Sequence, residues 1–216
     1  MAILLPKRGY AMLVKFYSGV LALVGLASVC YCSTLPQADK EVPANYYPLK
    51  EGNKWYYRME AGEKTFQVVT QLTKVENSSV KGMFRLEMSI DGKVLGSEDL
   101  TVDKTGVLRH AFNDTQFPTP VTVVRFPVKE GDTWEQTVAA GGDEMKLKGK
   151  VIGEEEIEVP AGKFKALRVQ IEASGEQSET LTVTYWFARN AGIVKQTLEV
   201  GDEQIVFELE KYEMVR

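Results

Sequence analysis

A nonapeptide occurs twice in this chain, at a separation of 79 residues. Tyr47-Pro48-Leu49-Lys50-Glu51-Gly52-Asn53-Lys54-Trp55 returns as Phe126-Pro127-Val128-Lys129-Glu130-Gly131-Asp132-Thr133-Trp134. Both copies run aromatic, Pro, aliphatic, Lys, Glu, Gly, Asn or Asp, a variable residue, and Trp. Self-similarity at a fixed separation signals repeated structural units that bury their apolar faces together. The reading is one duplicated domain over 46–216, with halves 46–124 and 125–216.

The nonapeptide has a mechanical sense. A residue before Pro is held extended, so Tyr47 and Phe126 lead in as strand-like. Gly-Asn and Gly-Asp supply a tight turn, and each Trp opens the following strand. Beyond the nonapeptides the apolar period is two. Met145, Leu147 and Val151 alternate with Lys146, Lys148 and Lys150; Leu181, Val183, Tyr185 and Phe187 alternate with Thr182, Thr184 and Trp186. Such alternation marks strands with one buried face. No window carries a helical stripe, so the expected class is all-β and antiparallel, as a curved half-barrel or a two-sheet sandwich. Period alone does not choose between those two.

The copies continue past the nonapeptide. Gly82 and Phe84 match Gly162 and Phe164, and Leu86, Met88 and Ile90 match Leu167, Val169 and Ile171 one residue further on. A one-residue slip inside a strand pair predicts a β-bulge, placed near Ala166. Ser97-Glu98 match Ser178-Glu179, and Gly106-Val107-Leu108-Arg109 then meets Gly192-Ile193-Val194-Lys195. That jump predicts added length in the second copy around Tyr185 to Asn190.

The first 32 residues read as an export signal. Lys7, Arg8 and Lys15 precede an uncharged run from Phe16 to Tyr31, short for a membrane-spanning helix and close to a signal core. Leu26-Ala27-Ser28-Val29-Cys30 resembles a bacterial lipobox, which makes Cys30 the candidate lipid-attachment residue. Val29 stands where that pattern has a small residue, so cleavage between Cys30 and Ser33, or retention as an anchor, stays open. Residues 33–45 carry Pro36 and Pro43 among small and polar residues and read as a tether.

Removal of the signal takes the formal charge from −4 to −7, because three cations leave and no acid precedes Asp39. An acidic domain repels phosphate backbones, so no nucleic-acid partner is expected. Both cysteines, Cys30 and Cys32, lie in the signal, which leaves the domain without a disulfide, a thiolate metal site or a thiol nucleophile. The one histidine, His110, excludes multi-histidine arrangements and reads as a partly exposed strand-end residue. Glu154, Glu155, Glu156 and Glu158 read as a solvated edge that discourages association, rather than a cation site. Lys146, Lys148 and Lys150 share one face and read as surface charge.

Pro48-Leu49 with Gly52 and Trp55, Val159-Pro160-Ala161-Gly162-Lys163-Phe164 with Val169, and Tyr185-Trp186-Phe187-Ala188 with Gly192-Ile193-Val194-Lys195 form a set. It resembles a broad group of bacterial exported β-sheet proteins of unknown function. The likeness spans most of residues 46–214 and implies an envelope location, with no catalytic residues to carry over. More loosely, the architecture is similar to half-barrel carriers of lipids or lipoproteins, an analogy of fold alone.

Trp55 and Trp134 read first as core anchors of the two repeats. The alternative groups them with Tyr185, Trp186 and Phe187 as a ligand-binding surface, although Trp186 faces opposite Tyr185 and Phe187 along a strand. The expectation is an exported envelope protein that binds or assembles without catalysis, cofactor or metal. Its partners would be the membrane, through signal or lipid anchor, and an apolar ligand or another envelope protein. A structural interaction module is the alternative, and a carboxylate-based hydrolase a third.

Overall fold

The computed structural model describes residues 45–215, apart from 77, 114, 141–142 and 176–178. The expected signal at 1–32, Cys30, and the tether except residue 45 lie outside the described residues.

Twelve antiparallel strands build one continuous sheet. The first six are β1 (Lys54–Ala61), β2 (Lys64–Lys74), β3 (Phe84–Ile90), β4 (Lys93–Asp103), β5 (Gly106–Phe112) and β6 (Thr115–Arg125). The second six are β7 (Thr133–Ala140), β8 (Asp143–Val159), β9 (Gly162–Gly175), β10 (Leu181–Ala188), β11 (Gly192–Val200) and β12 (Glu203–Glu213). Each set is an up-and-down meander, and the two join where β1 pairs with β12, Met59 opposite Phe207. The order therefore runs β6-β5-β4-β3-β2-β1-β12-β11-β10-β9-β8-β7. One unbroken sheet selects the curved, barrel-like form over the sandwich.

The two nonapeptides make the same backbone bonds. Gly52 N–H donates to the Leu72 carbonyl and Gly131 N–H to the Val151 carbonyl, each at 2.9 Å. Asn53 and Asp132 N–H reach back to Lys50 and Lys129, both at 3.1 Å, while Leu72 and Val151 N–H return 2.9 Å bonds to Asn53 and Asp132. These turns need glycine, since φ is +88° at Gly52 and +82° at Gly131. Each turn thereby fixes the register of the hairpin behind its Trp.

Two local expectations are corrected. The slip near Ala166 is a bulge on the neighbouring strand: Val151 pairs with Val169 and Gly153 with Arg168, leaving Ile152 as the extra residue. Ala166 itself stays in register with Glu155 and Ala188. The added length expected around Tyr185 to Asn190 lies in the β9–β10 hairpin instead. Ile90 sits beside its turn, paired with Lys93, whereas the matching Ile171 pairs with Val183 well below a longer hairpin end. Glu98 is in β4 but Glu179 belongs to neither β9 nor β10, so that short match is not positional.

Alternation sorts the faces as the sequence predicts. Met145, Leu147 and Val151 of β8 are buried, and Lys146, Lys148 and Lys150 are exposed. Beyond Lys150, β8 pairs only with β9, so Glu154 to Glu158 occupy an edge. Inside, Tyr47, Trp134, Val151, Leu167 and Phe187 form one core cluster, with Trp55, Tyr57, Val68, Leu72 and Leu209 in a second. Tyr47 links them, with its ring centroid 6.3 Å from Trp55 and 6.2 Å from Phe187. The lead-in segment thus plugs the end of the barrel where the described chain enters.

Candidate functional site

At the opposite end the interior is not filled. A cavity of about 420 Å³ opens beside the β1–β2, β5–β6 and β11–β12 turns, where Gly62, Thr115 and Asp202 stand. Its walls are side chains that strand alternation sends inward: Phe117 and Val121 of β6, Val138 of β7, Met145 and Leu147 of β8, and Ala173 of β9. Five of these six belong to a small third apolar cluster, with Phe117 packed against it.

The inner end of the cavity is polar. Arg109 Nε donates to Glu98 Oε2 at 2.9 Å, and Arg109 Nη2 donates to the Tyr185 hydroxyl at 3.2 Å. Gln196, paired with Tyr185 across β10 and β11, also lines the space. Arg109 lies three residues from Phe112 at the rim, a depth on the order of 10 Å at the usual strand rise. Burial works against the Arg109 charge, but Glu98 and Tyr185 outweigh it and hold its pKa above the ordinary value. Burial pushes the Tyr185 hydroxyl upward, so it remains a protonated donor at neutral pH.

The five aromatic residues nominated from the sequence do not converge. Only Tyr185 lines the cavity. Phe187 is fully buried beneath it, stacked at 5.5 Å between centroids. Trp55 is a core residue whose Nε1 donates to the Ala191 carbonyl at 2.6 Å. Trp134 seals the seam between the two edge strands, with Nε1 donating to the Thr122 carbonyl at 3.3 Å. Trp186 is on the face of β10 opposite Tyr185. There Arg168 and Lys195 lie 5.2 and 5.8 Å from its ring, and its Nε1 donates to Glu155 Oε1 at 2.6 Å.

Other sequence features are absorbed locally. His110 is the extra residue of a β4–β5 bulge, half-buried, and its Nε2 lies 2.8 Å from Thr101 Oγ1. Burial draws its pKa down, opposed in part by Asp99 and Asp103. Glu154 accepts from Tyr46 at 3.1 Å and pairs with Lys165 at 2.7 Å, the latter chiefly holding its carboxyl below the ordinary value. Among the described residues, no three His, Cys, Asp or Glu side chains are placed to hold a metal ion.

Sequence reasoning missed Arg109 and Glu98. Arg109 follows Val107 at strand spacing, and Val107 is fully buried, so the inward direction of Arg109 was readable once the core face was known. Nothing local told which carboxylate, out of many, would meet it.

A candidate exported protein with a YmcC-like fold from Bacteroides fragilis is similar at 14% identity and a TM-score of 0.50, covering 78% of this chain and 98% of that one. At that identity the likeness concerns the fold. A candidate lipoprotein from Parabacteroides distasonis gives 15% identity and a TM-score of 0.48, with the same 78% and 98% coverage. The hypothetical lipoprotein YmcC from Escherichia coli gives 12% and 0.39, covering 82% and 92%. No curated protein matches the chain. A family profile covers residues 87–210, more than half of the sequence, and on that ground the chain belongs to the family described as protein of unknown function DUF3108.

Proposed function

We propose that this is an exported protein, tethered to the bacterial envelope, that holds an apolar ligand in its barrel without covalent chemistry. The observation that carries the proposal is the cavity of about 420 Å³ with apolar walls and a few convergent polar groups at its inner end. That composition and size fit a site for one small ligand, since such sites run from about 300 to 1,000 Å³. The apolar run before Tyr31 and the exported description of the Bacteroides fragilis structure support the location. Tyr185 is the one aromatic of the nominated five retained as a ligand contact. Strand addition at an open edge is a weaker reading, because Gln136 and Trp134 already engage the edge strand β6.

The test is native mass spectrometry of the full chain, expressed in a bacterial host and extracted from its envelope. A bound adduct that leaves as a lipid on activation supports the reading. A clean apo mass that persists after incubation with host lipid extract removes it.

A further inference from the structure

The inner end of the cavity is a set of donors whose charge is already balanced. Arg109 carries five N–H groups. Its hydrogen bonds among the described residues use Nε toward Glu98 and one N–H of Nη2 toward Tyr185. Nη1 has no hydrogen-bond partner among the described residues, in a side chain that lines the cavity and keeps 19% exposure. The Tyr185 hydroxyl accepts from Arg109 and retains its own proton to donate. At Arg109 and Tyr185 a docking ligand group meets N–H and O–H donors, so toward these two side chains it acts as an acceptor.

Charge decides which acceptor. Glu98 stands against Arg109 at 2.9 Å, is 25% exposed, and lines the same cavity. A ligand carboxylate or phosphate at Nη1 would add a second anion beside Glu98, inside apolar walls where charges are poorly screened. A hydroxyl or an ester carbonyl accepts the same hydrogen bonds without that repulsion. The volume also limits the tail, since about 420 Å³ lies low in the range for one small ligand. The acids at the mouth, Asp202 and Glu203, further disfavour anionic lipids.

Resting on the binding function proposed above, we infer that the ligand is a single-chain neutral lipid, an acyl glyceride or fatty alcohol, held head-inward. Its hydroxyl or ester carbonyl accepts from Arg109 and Tyr185, and its tail lies along Leu147, Ala173 and Leu181 toward the mouth. Glu98 sets specificity by excluding anionic heads.

The experiment is competition. The full chain, exchanged into a fluorinated surfactant, is offered equal amounts of monoolein and oleate, and bound species are counted by native mass spectrometry. Wild type is expected to retain monoolein over oleate by at least about tenfold, the scale of one charge-assisted hydrogen bond. Glu98→Gln keeps the shape and the bond to Arg109 but removes the anion, and should shift the ratio toward oleate by a similar factor. Glu98→Gln combined with Arg109→Met, neutral at both positions, should lose the preference; an unfolded double variant leaves the single variant to decide. Oleate bound as well as monoolein by wild type, or a ratio unmoved in Glu98→Gln, overturns the head-group inference while leaving an apolar site in place. Retention of neither lipid overturns both.

Discussion

Gln136 occupies the place of a missing strand partner for Thr122. Its Oε1 accepts from the Thr122 backbone N–H at 3.0 Å, and its Nε2 donates to the Pro120 carbonyl at 2.6 Å. Edge strands β6 and β7 follow one another in the chain but are not joined by a backbone ladder. One amide side chain, with Trp134 Nε1 on the Thr122 carbonyl, bridges the seam instead. Pro118 and Pro120 remove two donors from β6, a usual feature of edge strands.

Gln136→Leu should therefore destabilise the protein by about 1–3 kcal/mol, because it leaves backbone groups at the seam without partners. Hydrogen exchange at the Thr122 amide should accelerate more than at Val68 in the barrel wall. Equal protection of Thr122 in both proteins would mean that the seam does not depend on Gln136.

Trp134 lies flat over Gly149, its cross-strand partner on β8. A Cβ at Gly149 would overlap the indole ring itself. Gly149→Ala should cost about 1–3 kcal/mol by overpacking, read from the urea midpoint. Combined with Trp134→Leu, which vacates the ring, the alanine should cost much less. Additive losses in the double variant would show that the two positions do not interact.

Much of this arrangement was legible because it is local. Period-two alternation needs only neighbours in sequence, and it separated Met145 and Leu147 from Lys146 and Lys148. The paired nonapeptides announced two equivalent turns because Gly52 and Gly131 meet the same backbone demand. What was not legible depends on closure. Arg109 meets Tyr185 from 76 residues away, a pairing that exists only once β5 and β10 face each other across the lumen. Trp55 and Trp134 share one motif yet serve different places, since Gly149 opens a slot beside one and the Ala191 carbonyl holds the other. The bulge escaped to Ile152 because a slip in one strand is equally satisfied by an extra residue on its partner.

Glu208 lies between Lys195 Nζ at 2.9 Å and Arg58 Nη2 at 2.7 Å. Partial burial pushes its carboxyl up, but the two cations outweigh that and leave its pKa below the ordinary 4.5. A carboxylate depressed in the folded state adds stability above its unfolded pKa, and that stability is lost as pH falls through the folded value. Glu208→Gln should thus be less stable than wild type at neutral pH, with the gap closing as pH drops below 4.5. Urea midpoints of both proteins along an acid series check this. A gap that stays constant would assign the loss to packing instead of charge.

Ala173 faces the cavity between Leu147 of β8 and Leu181 of β10, its register partners. Ala173→Phe would fill lumen space with a ring without adding charge. Cavity filling commonly raises stability by about 0.5–2 kcal/mol, so the variant should unfold at equal or higher urea while losing its bound lipid adduct. Trp186→Ala provides the contrast, since that indole is on the other face of the sheet between Arg168 and Lys195. It should lower stability and leave the adduct intact. Loss of the adduct in Trp186→Ala with retention in Ala173→Phe would move the binding surface away from the lumen to the opposite face of the sheet, around Trp186.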